Sequence, residues 1–173
     1  MTEIRPTRPT DLTAIQRIEL AAGELFRVVG MPDIADHPVP TIAVLAAYQR
    51  AGHSWVAVDG TDQPLGFVLI KLVDGRAHIE QVSVLPAQAR RRIGRDLIDH
   101  VAAWAAARWL PALSLTTFRE VPWNAPYYER LGFDVLAPED YGPELGALLT
   151  EEAGHGLDPE QRVAMVRAIH SVR

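Results

Sequence analysis

The stretch that decides the fold is residues 82–98, which read VSVLPAQARRRIGRDLI. Three consecutive arginines, Arg90–Arg92, stand directly before Ile93, where apolar residues begin to recur at helical spacing. A helix N-terminus already carries partial positive charge and unpaired N–H donors, so clustered cations there cost stability unless an anion binds. Gly94 lets the backbone approach a phosphate closely. The stretch therefore predicts a phosphate-binding turn, with a solvated basic turn as the alternative.

The composition is typical of one ordinary globular domain. With 173 residues and 48% hydrophobic content, the chain can bury a core, and we expect a single domain over residues 1–173. The formal net charge of -5 argues against general nucleic-acid binding. No cysteine is present, which excludes disulfides and thiolate nucleophiles. The histidines lack metal-ligand spacing, so we expect no metal.

The ends of the chain and its apolar runs bear on its location. The N-terminal residues, Met1 to Asp11, are polar and lack the apolar core of a signal peptide. No apolar run approaches the length of a membrane span. We therefore expect a cytoplasmic protein without a membrane partner.

Local patterns predict a helix–strand order for the first half of the chain. Two helices begin near Asp11 and Thr41, separated by a proline-rich loop over Met31 to Pro40. Asp-Gly pairs separate three strand-like runs and predict an antiparallel meander. The expected strands are Ile4 to Pro9, Ser54 to Asp59, Leu65 to Val73 and Ala77 to Val84.

The second half alternates helices and strands. A helix is expected from Ile93 to Trp109, with Trp55, Trp104 and Trp109 in the core. The further elements are a strand over Leu113 to Phe118, a helix over Asn124 to Leu131, a strand over Phe133 to Leu136 and a helix over Pro143 to Glu152. The segment from Asp158 to Ile169 fits both a helix and a strand, and local rules do not decide between them.

These residues resemble a known family. Residues 82–98 look like the acetyl-CoA motif of the GNAT superfamily of N-acetyltransferases, and Tyr127 to Phe133, YYERLGF, resembles its tyrosine followed by a Gly-Phe pair. Leu65 to Phe67 matches the usual start of the third strand, so the similarity covers residues 1 to about 136. The resemblance implies an α/β GNAT fold: one central, mixed, mostly antiparallel sheet, splayed at a cofactor cleft and flanked by helices. It also implies that residues 162–169 form the final strand.

The resemblance further implies acetyl-CoA as cosubstrate and a set of residues that bind it. They are Val82, Ser83, Val84, Ala89, Arg90, Arg91, Arg92, Ile93, Gly94, Arg95, Asn124 and Tyr128. The family loop usually carries Gln or Arg, then Gly, then Gly or Ala, where this chain has Ala89, Arg92 and Gly94. Backbone N–H groups supply most of a pyrophosphate cradle, and any non-proline residue has one. The usual asparagine position falls on Val121, and Asn124 stands where alanine is common.

The implied reaction is direct transfer of an acetyl group from acetyl-CoA to a primary amine of a small molecule or peptide, in a ternary complex. An alkyl amine has a pKa of about 10 and must lose a proton before it attacks the thioester. Glu80 is the first candidate for the base and His78 the second, since both share a strand face with Val82 and Val84. An ion pair and a packed histidine are the alternatives. Backbone N–H groups around Val82 to Val84 would stabilise the oxyanion.

Tyr128 is the candidate acid that protonates the departing thiolate, with packing in a buried helix face as the alternative. The first helix and the loop from Glu24 to His37 are expected to shape the acceptor pocket. A second function class remains open: a non-catalytic acyl-CoA sensor or structural protein with the same fold. A hydrolase ranks lower, because no Gly-x-Ser-x-Gly elbow is present. We expect a monomer or homodimer.

Overall fold

The computed structural model describes residues 2–170 as six helices and seven strands. The strands are β1 (Glu3–Pro6), β2 (Ser54–Val58), β3 (Pro64–Val73), β4 (Arg76–Val84), β5 (Ala112–Phe118), β6 (Asp134–Leu136) and β7 (Arg162–Ala168). The helices are α1 (Leu12–Gly23), α2 (Pro32–Ala35), α3 (Ile42–Arg50), α4 (Ile93–Ala106), α5 (Ala125–Arg130) and α6 (Pro143–Gly154). Within this range no helix is both long and apolar enough to cross a membrane.

The strands form one sheet in the order β1-β2-β3-β4-β5-β7-β6. The pairs β1/β2, β2/β3, β5/β7 and β6/β7 are antiparallel, whereas β4/β5 is parallel. A parallel neighbour requires a crossover connection, and α4 supplies it. The mixed, mostly antiparallel sheet flanked by helices is therefore confirmed. The parallel register covers Ala77 to Ile79 of β4, so Glu80 and the residues after it lie outside it.

The two Asp-Gly pairs behave differently. Asp74 and Gly75 join β3 to β4 with φ angles of 48° and 72°, as a two-residue hairpin turn with two left-handed residues requires. The other pair, Asp59 and Gly60, opens a longer turn than the sequence predicts, in which the Asp59 N–H donates to the carbonyl of Gln63. The Asp59 side chain also accepts the N–H groups of Thr61 and Gln63, so it organises a five-residue loop.

The chain divides into two compact units, of which the first comprises residues 2–70 and 81–100. Its core joins one face of α1 to the strands; the buried residues are Leu12, Ile15, Ile18, Leu45, Val56, Val58, Phe67 and Leu69. Thr41 begins α3 as expected, since its hydroxyl accepts the N–H of Val44 at 3.2 Å. The predicted loop over Met31 to Pro40 contains the short helix α2.

Asp11 does not cap α1 through its side chain, although it occupies the N-cap position. Its carboxylate instead accepts the Arg8 N–H at 2.7 Å and pairs with the Arg5 guanidinium at 2.7 Å. Burial by itself raises the pKa of Asp11, but the bonds from Arg5 and Arg8 outweigh it and lower the pKa below its usual value. The residue thus ties the first strand to the helix start.

The second unit comprises residues 71–80 and 101–170. Its core packs α6 against the sheet through Val73, Leu145, Leu148 and Ala164. The ambiguous segment resolves into a 3-10 turn, Pro159–Gln161, followed by strand β7. Met165 of β7 pairs with Leu115 of β5 on one side and Val135 of β6 on the other. Two flanking strands therefore decide the conformation of this segment.

The helix α4 ends at Ala106, earlier than the sequence predicts. Trp109 follows with φ of 60°, and the N–H of Leu110 donates to Ala105 at 3.1 Å, which is the bonding of a Schellman C-cap. Trp109 is 88% exposed, so its predicted core position is wrong. Trp55 is buried as expected, and Trp104 is half-buried under the Arg108 guanidinium.

Candidate active site

The loop between β4 and α4 carries an unusual backbone. After the 3-10 turn Pro86–Gln88, Arg90 and Arg92 adopt φ angles of 65° and 63°, and α4 begins at Ile93. The left-handed region is unfavourable for a residue with a Cβ. Turns with such residues form concavities of backbone N–H groups that bind anions. We call residues 89–92 the arginine loop.

The side chains of the arginine loop are exposed. Arg91 donates to Gln88, while Arg95 lies 3.5 Å from Asp99 one turn along α4. Within the part of the chain that the structure describes, no carboxylate forms an ion pair with Arg90, Arg91 or Arg92. Clustered cations at a helix N-terminus, without carboxylate partners, fit a phosphate-bearing ligand.

The arginine loop is anchored by close packing at its strand and helix ends. Ile93 is buried, and Gly94 in the first turn of α4 is half-buried. Gly66 of β3 faces the strand end: a Cβ there would lie 3.0 Å from the Ser83 carbonyl oxygen and 3.3 Å from the Ile93 side chain. Leu85 N–H donates to the Leu65 carbonyl at 2.8 Å. The Leu-Gly-Phe pattern therefore has a steric purpose, because it lets β3 approach the segment Val82 to Val84.

A polar cluster at the end of β4 joins it to α1. The Ser83 hydroxyl donates to Glu19 Oε2 at 2.7 Å, and Gln81 Nε2 donates to Ser83 Oγ at 3.0 Å. Ser83 is buried and Glu19 is half-buried. Burial raises the pKa of Glu19, and the bonds from Ser83 and Gln81 partly offset the rise. We call Glu19, Gln81 and Ser83 the Glu19 cluster.

Sequence reasoning missed Glu19, although a signal was present. The residue follows Ile15 by four positions and so continues the buried stripe of α1. A carboxylate on an apolar stripe is a candidate site residue, because buried charges require partners.

The two candidate bases lie together on β4, as their spacing predicts. Glu80 Oε2 is 3.1 Å from Lys71 Nζ and 3.9 Å from His78 Nε2. His78 is 1% exposed, and its Nδ1 is 2.9 Å from Ser114 Oγ. Burial, with a smaller contribution from Lys71, lowers the pKa of His78 to about 4. The imidazole is therefore neutral at pH 7, while Glu80 is exposed beside the Lys71 ammonium group.

Tyr128 packs at the centre of the Tyr-Gly-Phe motif. Its side chain is 8% exposed, and its ring meets Phe133 and Tyr127 edge-on, with ring centroids 5.9 and 5.5 Å away. The Phe133 N–H donates to the Tyr128 carbonyl at 3.0 Å, and Gly132 makes this turn possible with φ of 88°. The motif thus fixes the tyrosine through both backbone and ring contacts.

Asn124 begins α5 beside this tyrosine, and its carbonyl accepts the Tyr128 N–H at 3.0 Å. The Asn124 side-chain amide donates to the Trp123 carbonyl at 3.2 Å. Its Oδ1 is buried, and no hydrogen-bond donor for it lies among the described residues. The structure therefore keeps Asn124 next to Tyr128 with one polar atom unsatisfied.

A second arginine site, which the sequence did not predict, lies in the core of the second unit. Arg162 Nη2 donates to Thr116 Oγ1 at 3.1 Å and to Glu152 Oε1 at 3.3 Å, and its guanidinium lies 4.6 Å from the centre of the Phe118 ring. Burial lowers the pKa of Arg162, against the opposing effect of Glu152. A cavity of about 210 Å³ adjoins the pair; it is lined by Pro138, Tyr141, Leu149, Glu152, Leu157, Pro159 and Arg162.

Comparison with known proteins identifies the class. The model of the Acetyltransferase (GNAT) family matches residues 21–133. The match covers more than half of the chain, so the chain belongs to the GNAT acetyltransferase family, and the resemblance noted in the sequence is confirmed.

Solved structures share the fold at low sequence identity. PaiA N-acetyltransferase from Thermoplasma acidophilum, solved with coenzyme A, superposes with a TM-score of 0.68 at 13% identity, covering 97% of this chain and 99% of that one. The ribosomal-protein-S18-alanine N-acetyltransferase from Escherichia coli gives 0.65 at 20% identity, covering 98% and 94%. Chaetomium thermophilum Naa20, solved with a bisubstrate analogue, gives 0.69 at 19% identity, covering 98% and 87%. These similarities establish the GNAT fold.

Proposed function

We propose that this chain transfers an acetyl group directly from acetyl-CoA to a primary amine of a small molecule or peptide, within a ternary complex. The observation that carries the proposal is the arginine loop, where left-handed Arg90 and Arg92 precede a helix N-terminus. Two structural neighbours that are N-acetyltransferases, one of them solved with coenzyme A, support the same reaction class. We also propose that the protein is cytoplasmic, is a monomer or homodimer, and binds neither nucleic acid nor membrane.

The arginine loop and the start of α4 hold the pyrophosphate of acetyl-CoA in this proposal. Backbone N–H groups from Ala89 to Arg95 form the cradle, and the exposed guanidinium groups add charge. Buried Ile93 keeps the helix start in place, while Gly94 allows close approach. The thioester carbonyl lies along Val82 to Val84, whose N–H groups stabilise the negative charge that develops on its oxygen.

Glu80 is the proposed proton acceptor for the amine. It is an exposed residue on β4, and its carboxylate is held by Lys71 at 3.1 Å. His78 is the second choice, because a pKa of about 4 makes a neutral imidazole a weak base at pH 7. Its contacts with Ser114 and Glu80 support a role in positioning the glutamate.

Tyr128 is the proposed acid for the departing thiolate. Its fixed ring and backbone suit a group that must hold one proton at one point, and Asn124 is proposed to contact acetyl-CoA beside it. A phenol of pKa about 10 donates to a thiolate whose acid has pKa about 8.5 only when the two groups are held together.

The alternative is a non-catalytic acyl-CoA-binding protein. The observation that favours it is the placement of arginine, rather than glycine, at a left-handed position of the arginine loop, Arg92. An acetyl-CoA assay with a panel of primary amines separates the two functions, because an enzyme releases free thiol while a sensor binds CoA without releasing it. Release with at least one amine supports the enzyme, and CoA binding without release across the panel supports the sensor.

Direct transfer has its own test. The chain contains no cysteine, so the commonest acyl-accepting nucleophile is missing. Mass spectrometry of the protein incubated with acetyl-CoA alone should show no stable acetyl adduct. An adduct that forms and reacts at the rate of turnover would refute the direct mechanism.

A further inference from the structure

Glu19 has an unusual setting for a carboxylate. It lies on α1 at the end of a stripe that otherwise buries Leu12, Ile15 and Ile18. Two uncharged groups fix its position. The Ser83 hydroxyl donates to the carboxylate at 2.7 Å, and the Gln81 amide donates to that hydroxyl at 3.0 Å. The carboxylate therefore has a fixed position, although no described residue forms an ion pair with it.

No cation among the described residues forms an ion pair with this carboxylate. Among residues 2–170, the ion pairs involve other acids, and none includes Glu19. Removing a charge from water is costly, and proteins usually compensate with an opposite charge. Burial accordingly raises the pKa of Glu19. A cationic group that arrives with a ligand would remove this cost.

The other acids near α1 are already engaged. Arg27 pairs with Glu24 at 2.9 Å and also with Asp36, and all three side chains are largely exposed. Arg27 therefore offsets one of the two negative charges, and both carboxylates are open to solvent. Glu19 differs in both respects, which makes it the better-suited acid for recognising a cation.

We propose that Glu19, held by Ser83 and Gln81, binds the ammonium group of the acetyl acceptor, which places the acceptor in the class of cationic alkylamines. The inference rests on the proposed function. Ser83 connects the two, because it belongs to the segment Val82 to Val84 assigned to the thioester carbonyl and also donates to Glu19. An amine bound at Glu19 is thus brought to the backbone of this strand segment, from the strand face opposite the Glu80 side chain. Neutral arylamines and alcohols lack the charge that this site recognises.

The direct test uses binding, with n-butylammonium chloride as the probe and 1-butanol as its uncharged counterpart. The backbone amide signal of Ser83 should shift in a saturable way with the ammonium compound and not with the alcohol. The shift should disappear in Glu19→Gln and persist in Glu3→Gln, the matched variant of an exposed acid outside the expected acceptor pocket. Equal responses to both compounds, or an unchanged response in Glu19→Gln, would overturn the inference.

A second measurement uses the unmodified protein, in case Glu19→Gln does not fold. Titration of the Glu19 carboxyl by carbon NMR should give a lower pKa in the presence of n-butylammonium, because a bound cation favours the carboxylate. An unchanged pKa at a probe concentration that saturates the Ser83 shift would also overturn the inference.

Kinetics separates this inference from the proposed function. With an amine that supports thiol release, Glu19→Gln should raise the acceptor KM by about tenfold or more, the effect of losing a hydrogen bond to a charged group, and leave the acetyl-CoA KM unchanged. Thiol release with unchanged acceptor KM would refute the role of Glu19 and leave the acetyltransferase function standing. Absence of CoA binding by the wild-type protein would instead refute the proposed function itself.

Discussion

Arginines occur in two opposite settings in this protein. In the arginine loop, Arg90, Arg91 and Arg92 are exposed at a helix N-terminus, and none of them has an ion-pair partner among the described residues. In the second unit, the side chain of Arg162 is 11% exposed and is bonded to Glu152 and Thr116, with Phe118 against its guanidinium. The loop arginines thus have no carboxylate partner in the described part of the chain, whereas Arg162 has one in Glu152.

The difference teaches how to separate residues that hold a ligand from residues that hold the fold. A buried charge must be satisfied within the protein, so its loss destabilises the folded state. Exposed cations placed against a helix dipole weaken the fold slightly and gain their value only when an anion binds. Substitutions in one region should therefore change stability, and substitutions in the other should change binding.

The largest effect is expected at Arg162. Arg162→Met leaves the buried Glu152 carboxylate without its cation, and we expect a loss of about 3–5 kcal/mol in the free energy of unfolding. Urea denaturation measures it. Arg162→Met with Glu152→Met should recover much of the loss, because no buried charge then remains. If Arg162→Met alone were as stable as the wild type, Arg162 would not be a residue that stabilises the fold.

A pH effect of similar size is expected from buried His78. Its pKa of about 4 in the folded state lies below 6.5, the ordinary value, so the unfolded chain takes up a proton first as pH falls. Stability should be complete above pH 6.5 and decline towards pH 4, by on the order of 3 kcal/mol. Urea unfolding across this range measures the slope, which His78→Gln should reduce and His155→Gln, at an exposed position, should not. Identical slopes in wild type and His78→Gln would contradict the assignment.

Tyr128 is packed like a core residue, and its substitution tests whether it also acts as the acid in the reaction. Tyr128→Phe keeps the ring contact with Phe133 but removes the proton, so turnover should fall by roughly 100-fold or more with little change in acetyl-CoA affinity. Tyr127→Phe is the control and should be mild, because adjacent helical residues point about 100° apart. Near-native turnover of Tyr128→Phe, with chemistry rate-limiting, would show that Tyr128 only packs.

Removing the arginine-loop charges tests the other side of the comparison. The triple variant Arg90→Ala, Arg91→Ala and Arg92→Ala should bind CoA about tenfold more weakly or worse, and with a flatter dependence on salt. Calorimetry at several salt concentrations measures both. Acetyl-pantetheine, which lacks the pyrophosphate, should bind wild type and variant alike. A folded triple variant with unchanged CoA affinity would rule out this phosphate site.

The smallest effect is expected at Arg92, where two substitutions separate the contribution of the backbone angle from that of the charge. Arg92 has φ of 63°, so Arg92→Gly should relieve strain and raise the free energy of unfolding by about 0.5–1 kcal/mol, while it weakens CoA binding a few-fold. Arg92→Ala should give the loss of binding without the gain in stability, because alanine keeps the Cβ. Thermal unfolding of both variants, with and without CoA, provides the measurement. Equal stability of the two would show that the loop relaxes around residue 92.

The sequence by itself determined the features that depend on near neighbours. The Asp74-Gly75 turn followed from residue types that accept left-handed angles, and the Thr41 cap followed from its hydroxyl at a helix start. The motif of residues 82–98 identified both the family and the helix at Ile93, since each depends on a continuous stretch of chain.

Only the tertiary structure decided the features that depend on distant partners. Residues 162–168 form a strand because Leu115 and Val135 pair with Met165 on either side, a choice that local periodicity leaves open. Trp109 is exposed because α4 ends before it in a Schellman turn. The roles of Glu19 and Arg162 depend on burial and on bonds to residues 64 and 46 positions away, Ser83 and Thr116. Desolvation and long-range pairing set those properties, and neither can be read from spacing along the chain.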